Sequence, residues 1–285
     1  MKNSFFFIVN LLLFSLDLKG QELINFSQDT LWGYKDKMNN IIIKPQYQYA
    51  RKFIENYAVV SKNDSVGIID KKNNVIIPFK YNYLQYLGDD KFMFGYRTKY
   101  FGEYDMGIMD KNSTIIIPSQ FYYIEKRNTF YKVTKNIDTI LETGELGDLR
   151  SIKSLHGIYD INGREIISCD YDYIRELKEE LFILQKDGLE ALYNYKGKAL
   201  TDFIYFSIGD YVEGLIGVRK ENKCGFINQQ GKVIIPVQYD YCENFEKGIS
   251  TVRINNKFSV IDKMGKYIVK DVNTYEEIKE IVREK

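Results

Sequence analysis

The 285-residue chain has only four prolines, one tryptophan, one histidine and three cysteines. One histidine excludes any metal centre or acid–base pair that needs two imidazoles. Three cysteines are too few for a disulfide framework. Neither sign of charge prevails, with 40 Lys plus Arg against 39 Asp plus Glu. The chain therefore lacks the one-signed surface that nucleic acids or anionic membranes select. Long apolar runs are also lacking. Phe5–Leu16 is interrupted by Asn10 and Ser15 and falls short of the roughly 20 residues that a membrane-crossing helix needs. With Lys2 before it, the run reads as a signal peptide over residues 1–20, cleaved between Gly20 and Gln21. Leu18 is large for that cleavage site, so an uncleaved anchor is the alternative. No cysteine follows the run to carry a lipid. The expectation is a secreted, periplasmic or cell-surface protein.

What the chain has in quantity is aromatic side chains, 24 Tyr and 18 Phe, which favour the half-buried, pleated surface of strands. They recur in order. Val66–Leu87, Met106–Lys126 and Cys224–Phe245 share one pattern: Gly, an apolar pair, Asp or Asn, a polar turn, an apolar triplet, Pro, then aromatics. Gly33, Gly67, Gly107, Gly157, Ala191, Gly225 and Ser259 set the register, with steps of 34, 40, 50, 34, 34 and 34 residues. Three residues past these anchors stand Asp36, Asp70, Asp110, Asp160, Asn194, Asn228 and Asp262. Fourteen past the first six stand Tyr47, Tyr81, Phe121, Tyr171, Tyr205 and Tyr239, and sixteen past stand Tyr49, Tyr83, Tyr123, Tyr173, Ser207 and Tyr241. Periodicity of this kind marks a tandem array.

Each unit reads as three short antiparallel strands. Gly67–Asp70 and Val75–Ile77 form a hairpin whose Asp70 accepts turn amides, a structural role. Pro78, Pro118 and Pro236 are expected to end the second strand. A connector carrying Phe53 or Phe245 leads to a third strand such as Tyr57–Ser61 or Ile249–Arg253. Such a meander cannot bury its apolar face alone, so neighbouring units must complete the core. Strand alternation places positions fourteen and sixteen on one face, as a mostly internal aromatic surface. The fold expected is all-β: about seven three-stranded meander repeats in an open, curved solenoid, with a closed propeller-like ring as the alternative.

The first unit, Leu31–Phe53, carries Trp32-Gly33, an aromatic, an Asp and a Pro-x-Tyr-x-Tyr segment. It resembles the WG-repeat family, and the resemblance extends over residues 31–270, with 21–30 as a lead-in. Later units put Val66, Met106, His156 or Cys224 in place of Trp, and Lys44, Ser168 and Asp202 occupy the Pro position. The fifth and seventh units, with Ala191 and Ser259, are degenerate. The family implies a repeat scaffold common in bacterial envelope proteins, and no catalytic residues to carry over.

Two units are longer, with extra residues around Tyr96–Asp105 and Asn136–Ser154, both between the third strand of one unit and the first of the next. Insertions in repeat arrays collect on one face, often the binding face, although a tolerated surface loop costs little. Tyr96, Arg97, Tyr100, Phe101 and Tyr104 of the first insertion are the candidate partner-binding residues. Thr274, with Glu277 three residues on, is a candidate N-cap of a short helix within 271–285 that closes the array. Cys224 and Cys242 lie in one unit and export would permit their pairing, but small apolar fillers in strands are the favoured reading.

No phosphate loop, zinc spacing or nucleophile elbow is present, and no cofactor is expected. His156 stands at the Trp position as half-buried packing. The function expected is an exported, non-catalytic scaffold for a protein partner. A carbohydrate-binding module using the aromatic rows is the alternative, and an unrecognised hydrolase the third.

Overall fold

The computed structural model describes residues 22–144, 147–178 and 180–278, so the segment read as a signal peptide lies outside it. The described chain is all-β, in seven antiparallel sheets of three or four strands. It divides into two compact units, 1–120 and 121–285. Among the described residues no helix is long and apolar enough to cross a membrane.

The first unit holds three sheets. Sheet one is β1 (Ile24–Gln28), β2 (Leu31–Lys35) and β3 (Ile41–Tyr47). Sheet two is β4 (Tyr49–Ala50), β5 (Tyr57–Lys62), β6 (Ser65–Asp70) and β7 (Val75–Tyr81). Sheet three is β8 (Tyr83–Gly88), β9 (Lys91–Arg97), β10 (Tyr104–Asp110) and β11 (Ile115–Phe121). The second unit holds four. Sheet four is β12 (Tyr123–Lys126), β13 (Phe130–Gly144), β14 (Gly147–Asp160) and β15 (Glu165–Tyr171), and sheet five is β16 (Tyr173–Leu177), β17 (Leu181–Lys186) and β18 (Leu189–Asn194). Sheet six is β19 (Ser207–Val212), β20 (Leu215–Lys220), β21 (Lys223–Ile227) and β22 (Val233–Tyr239). Sheet seven is β23 (Tyr241–Cys242), β24 (Ile249–Ile254), β25 (Lys257–Asp262) and β26 (Tyr267–Val272). Sheet and sequence repeat are out of phase. Every sheet after the first begins with the end of one repeat and closes with the hairpin of the next, except sheet five, which closes on the first strand of that hairpin alone, so consecutive repeats share sheets.

The polar turn behaves as its chemistry dictates. The Asp36 carboxylate accepts the backbone N–H of Met38 at 2.9 Å and of Asn40 at 2.8 Å. Asp70, Asp110, Asp160, Asn194, Asn228 and Asp262 each do the same two and four residues on.

The prolines do not end their strands. Pro78 lies inside β7, where Ile68 faces Ile77 and Val66 faces Tyr81. Pro78, Phe79 and Lys80 therefore bulge opposite the single residue Gly67. Proline fits because β7 is the outer strand of its sheet, where a missing N–H removes no ladder bond. The bulge also explains the anchor glycine: a Cβ on Gly67 would lie 3.0 Å from the Ile77 carbonyl oxygen, and one on Gly33 only 2.4 Å from that of Ile43. In the fifth repeat the anchor is Ala191 and the bulged strand is missing, leaving only the bridges Tyr193–Ala199 and Glu190–Tyr205.

Tyr47, Tyr81, Tyr205 and Tyr239, fourteen residues past their anchors, are buried, each contributing roughly 2–3 kcal/mol of apolar burial. In the first unit Tyr47, Tyr34 and Ile43 pack with Ala58, Val60 and Ile69 between sheets one and two. Tyr57 donates to Asp90 and Tyr86 to Glu55, each at 2.7 Å, pinning sheet two to sheet three. Burial, reinforced by these carboxylates, pushes both phenols up to about 12.

Cys224 and Cys242 form a disulfide, contrary to the reading of both as apolar fillers. Cys224 on β21 occupies the Trp position, and Cys242 on β23 the position of Ala50 in the first repeat. Repeat geometry brings these two positions together across the boundary between sheets six and seven, with Cα atoms 6.1 Å apart. Cys169 is free; burial raises its thiol to about 11, and it donates to the Leu155 carbonyl.

At the C-terminus Thr274 Oγ1 accepts the Glu277 N–H at 3.3 Å and donates to the Glu277 carboxylate at 3.0 Å, capping a helical turn at 275–278. Asp271 and Val272, placed with that helix by the sequence reading, end β26 instead. Residues 279–285 lie outside the described residues.

Candidate partner-binding rim

Every sheet has two ends. One carries the Asp turns; the other carries the hairpin tips and the crossovers by which the chain passes to the next sheet. Residue fifteen of each repeat makes that crossover. The backbone N–H of Gln48, Asn82, Tyr122, Asp172, Phe206 and Asp240 donates to Ser61, Gly95, Thr134, Gln185, Arg219 and Arg253 respectively, at 2.7–3.0 Å. Four of these side chains also cap a hairpin tip. Gln48 accepts the N–H of Asp64, Asn82 that of Arg97, Asp172 that of Asp187 and Asp240 that of Asn255, at 2.8–3.2 Å. The sequence reading passed over this position; its signal is an amide or carboxylate in four repeats between two aromatic columns.

The crossover corrects the expected single aromatic face. Because the chain changes sheets at residue fifteen, strand alternation does not carry across it. Position fourteen is buried except at the half-buried Tyr171, but position sixteen faces solvent: Tyr49 is 49% exposed in the first unit, and Tyr123 and Tyr173 are 55% and 46% exposed in the second. Tyr241 is also exposed and Tyr83 half-buried. Tyr49 meets Trp32 edge-on at 6.4 Å. Lys132 lies over the Tyr173 ring at 5.2 Å and donates to the Ile174 carbonyl; burial lowers its pKa. Each of these tyrosines begins a rung across its sheet. In sheet four the rung runs Tyr123, Thr134, His156, Tyr171. Thr134 Oγ1 and His156 Nδ1 are 3.1 Å apart, and burial, with Lys132 nearby, lowers the histidine pKa.

The first insertion lengthens the hairpin of sheet three. Its ladder extends to the pair Arg97–Tyr104, so those two residues share one face, where Tyr104 meets Tyr83 at 5.7 Å. Tyr96 is on the other face, against Tyr81 at 5.5 Å. Phe101 stands fully exposed in the connecting loop, and Tyr100 is half-buried beneath Lys99. The five candidates thus share one hairpin but divide between its faces and its tip.

The second insertion is a two-stranded ribbon, not an irregular loop. The β13–β14 ladder continues from Asn136–Ser154 to Gly144–Gly147, with a bulge between Ile140 and Glu142. At its base Ser154 donates to Asn136, and Lys153 pairs with Asp172 at 2.8 Å. That lysine, then the Asp187 N–H, holds the Asp172 carboxyl below the usual aspartate range. Its contribution to stability is present above the ordinary aspartate pKa and lost as pH falls through the lowered one. Asp172→Asn should therefore flatten the acid limb of the stability–pH curve, by under about 1 kcal/mol for so exposed a pair. Urea midpoints at pH 7 and pH 3 check this.

The turn end of the second unit has its own hollow, about 820 Å³, with Phe130, Leu177, Leu181 and Phe182 beneath a rim of mixed charge that includes Arg164, Glu176 and Lys178. Its charges are of both signs, which gives no preference for an anionic or cationic ligand.

The family model described as "WG containing repeat" matches residues 32–64, 67–93, 157–189, 192–224 and 225–258, more than half of the chain. The chain belongs to the WG containing repeat family. Its third and seventh repeats, outside those matches, keep the Asp turn all the same. No curated protein sequence matches it.

Among solved structures, the WG-repeat chain is similar to the extracellular domain of BT3049 from B. thetaiotaomicron, described as part of a hybrid two component system. Identity there is 8% and the TM-score 0.27, over 90% of this chain and half the length of that one. It is similar to Kluyveromyces lactis Hsv2 at 12% identity and a TM-score of 0.28, over 86% of this chain and 88% of that one. For Kuenenia stuttgartiensis hydrazine synthase the figures are 9% and 0.29, over 98% and 83%. At these scores the likenesses carry no functional argument.

Proposed function

We propose that this WG-repeat protein is an exported, non-catalytic scaffold that holds a protein partner on the crossover rim of its second unit. The reading rests on one observation: in the second unit the repeat places Tyr123, Tyr173 and Tyr241 at the same position beside the crossovers into sheets four, five and seven and leaves each ring exposed. Tyrosine supplies a large, stiff contact with one polar end, and such residues dominate binding energy at interfaces. The apolar run at residues 5–16 and the Cys224–Cys242 disulfide support export. His156, the lone imidazole, is engaged by Thr134 within a structural rung.

The same exposed rings favour a second reading, a glycan laid across them. Ser207 supplies a control, because the fold already accepts serine at this position. Tyr123→Ser, Tyr173→Ser and Tyr241→Ser, combined in the chain from Gln21 onward, should leave the thermal midpoint nearly unchanged. Retention of a protein from the native envelope should fall by at least about tenfold. Undiminished retention overturns the rim as the site. If only glycan is retained, and is lost on substitution, the protein reading fails and the glycan reading replaces it.

A further inference from the structure

The hollow at the turn end of the second unit stands at a repeat position where two other repeats seat a phenylalanine. In repeat one Phe53, twenty residues past its anchor, meets Tyr34, one past it, edge-on at 4.7 Å, and both pack in the same core. Phe245 meets Phe226 in the same way in repeat six, at 4.8 Å. Repeat four, anchored at Gly157, departs from this. Its position one, Ile158, packs with Phe130 and Phe182. Its position twenty, Leu177, ends β16 and packs instead with Leu181, Ile183 and Leu192. The place of the phenylalanine is thus vacated, and Phe130, Phe182 and the half-buried Ile166 line a hollow of about 820 Å³. The matching hollow of the first unit, with Leu23 and Phe53 in its wall, is about 470 Å³.

We propose that this hollow binds an aromatic side chain of a partner polypeptide, seating in trans the ring that repeats one and six supply in cis. Phe130 and Phe182 already meet edge-on at 5.3 Å, and an incoming ring adds a third aromatic to that pair, with burial as its main gain. The volume lies within the range of about 300–1,000 Å³ that binding pockets span, room for a ring and its neighbouring residues. The mouth suits the flanks that accompany such a ring. Lys52 and Glu55 flank Phe53, and Glu246 and Lys247 follow Phe245. At the mouth Asp160 engages Arg164 at 3.2 Å, and the Tyr159 hydroxyl donates to Glu165 at 2.8 Å. Glu176, Lys178, Glu180 and Lys196 stand exposed around it, two charges of each sign to meet flanks of opposite sign. The wall is set before binding: the Tyr195 N–H donates to the Glu180 carbonyl at 2.8 Å, so little ordering is required. Phe53 and Phe245 of a second copy do not supply the ring, because each is held in its own repeat. The hollow is at the opposite end of the sheets from the tyrosine rim, so it is a second contact that does not depend on that rim.

The probe is the end-blocked peptide of residues 50–56, which carries Phe53 with its own flanks. It is titrated into the chain from Gln21 onward and followed by amide chemical shifts. At about 1 mM peptide, shifts should appear at Phe130, Ile166 and Phe182 and be absent from sheet seven. The same peptide with Phe53→Ala should bind at least about tenfold more weakly. This comparison is made on the unaltered chain and needs no variant to fold. Thr129→Trp, at the exposed mouth, fills the hollow with a ring of the chain itself. It should weaken the phenylalanine peptide by at least about tenfold, while the thermal midpoint holds or rises. The proposal is overturned if the peptide leaves these amides unmoved, if both peptides bind alike, or if folded Thr129→Trp binds as the parent does. It is also overturned if the chain alone sediments as an assembly that Phe101→Ala dissolves, which would make a second copy the occupant. Failure here with success of the tyrosine test removes the hollow alone; failure of the tyrosine test with success here removes the rim alone.

Discussion

Gly225→Ala is expected to lower the stability of the WG-repeat chain by about 3 kcal/mol, whereas Gly217→Ala leaves it unchanged or slightly higher. Both glycines lie in strands of sheet six, and neither needs a left-handed backbone, so the contrast isolates close approach. A Cβ on Gly225 would lie 2.6 Å from the carbonyl oxygens of both Ile235 and Pro236. Those atoms are backbone of the bulged strand β22 and have no rotamer by which to withdraw. A Cβ on Gly217 meets nothing nearer than the Phe226 ring, at 3.7 Å. The bulge must therefore flatten or part from β21, releasing Tyr239 and Ile235 from the core that they share with Phe226 and Phe245. Ala191 points the same way, since the repeat that carries it lacks the bulged strand. Urea unfolding midpoints of the two variants decide the matter: equal midpoints would mean that the bulge does not hold the anchor position to glycine.

The same bulge marks how far the sequence could be read. Spacing alone located the Asp turns, because an Asp or Asn side chain acts within five residues of itself and needs no tertiary partner. It also located the register and the β content, which follow from local pattern. What it misplaced depends on where the chain changes sheets. Proline after an apolar triplet is a strand end in an isolated hairpin, but it is tolerated within an edge strand that bulges away from its neighbour. Tyr47 and Tyr49 are two apart and would share a face on one strand; the crossover at Gln48 puts them on different strands of different sheets, one buried and one exposed. The capping role of Asn82, Asp172 and Asp240 was hidden for the same reason, since their partners lie fifteen residues away on the next hairpin. The ribbon looked like a loop because its polar, glycine-containing sequence shows no period-two alternation.

Cys242→Ser is expected to cost about 3 kcal/mol in oxidising buffer, with reductant bringing the parent down to the level of the variant and leaving the variant unaffected. Cys242 is the better of the two positions to change: it is half-exposed, whereas Ser at Cys224 would also bury a hydroxyl. Cys169→Ser, at the free thiol, serves as the control and should stay near the parent. The expected size follows from the separation of 18 residues between the paired cysteines, a short loop whose closure restricts the unfolded chain. Its location gives the effect a second signature. Sheet seven is the last in the array, and its first strand, β23, contributes only two residues. The disulfide joins that strand to β21 of sheet six, in the contact that Trp and Ala positions make elsewhere in the repeat. Breaking it should speed amide exchange through β24, β25 and β26 before the earlier sheets respond. Loss of exchange protection confined to sheet seven would identify the bond as a lock on the end of the array. Uniform loss would assign it only a general restraint on the unfolded chain.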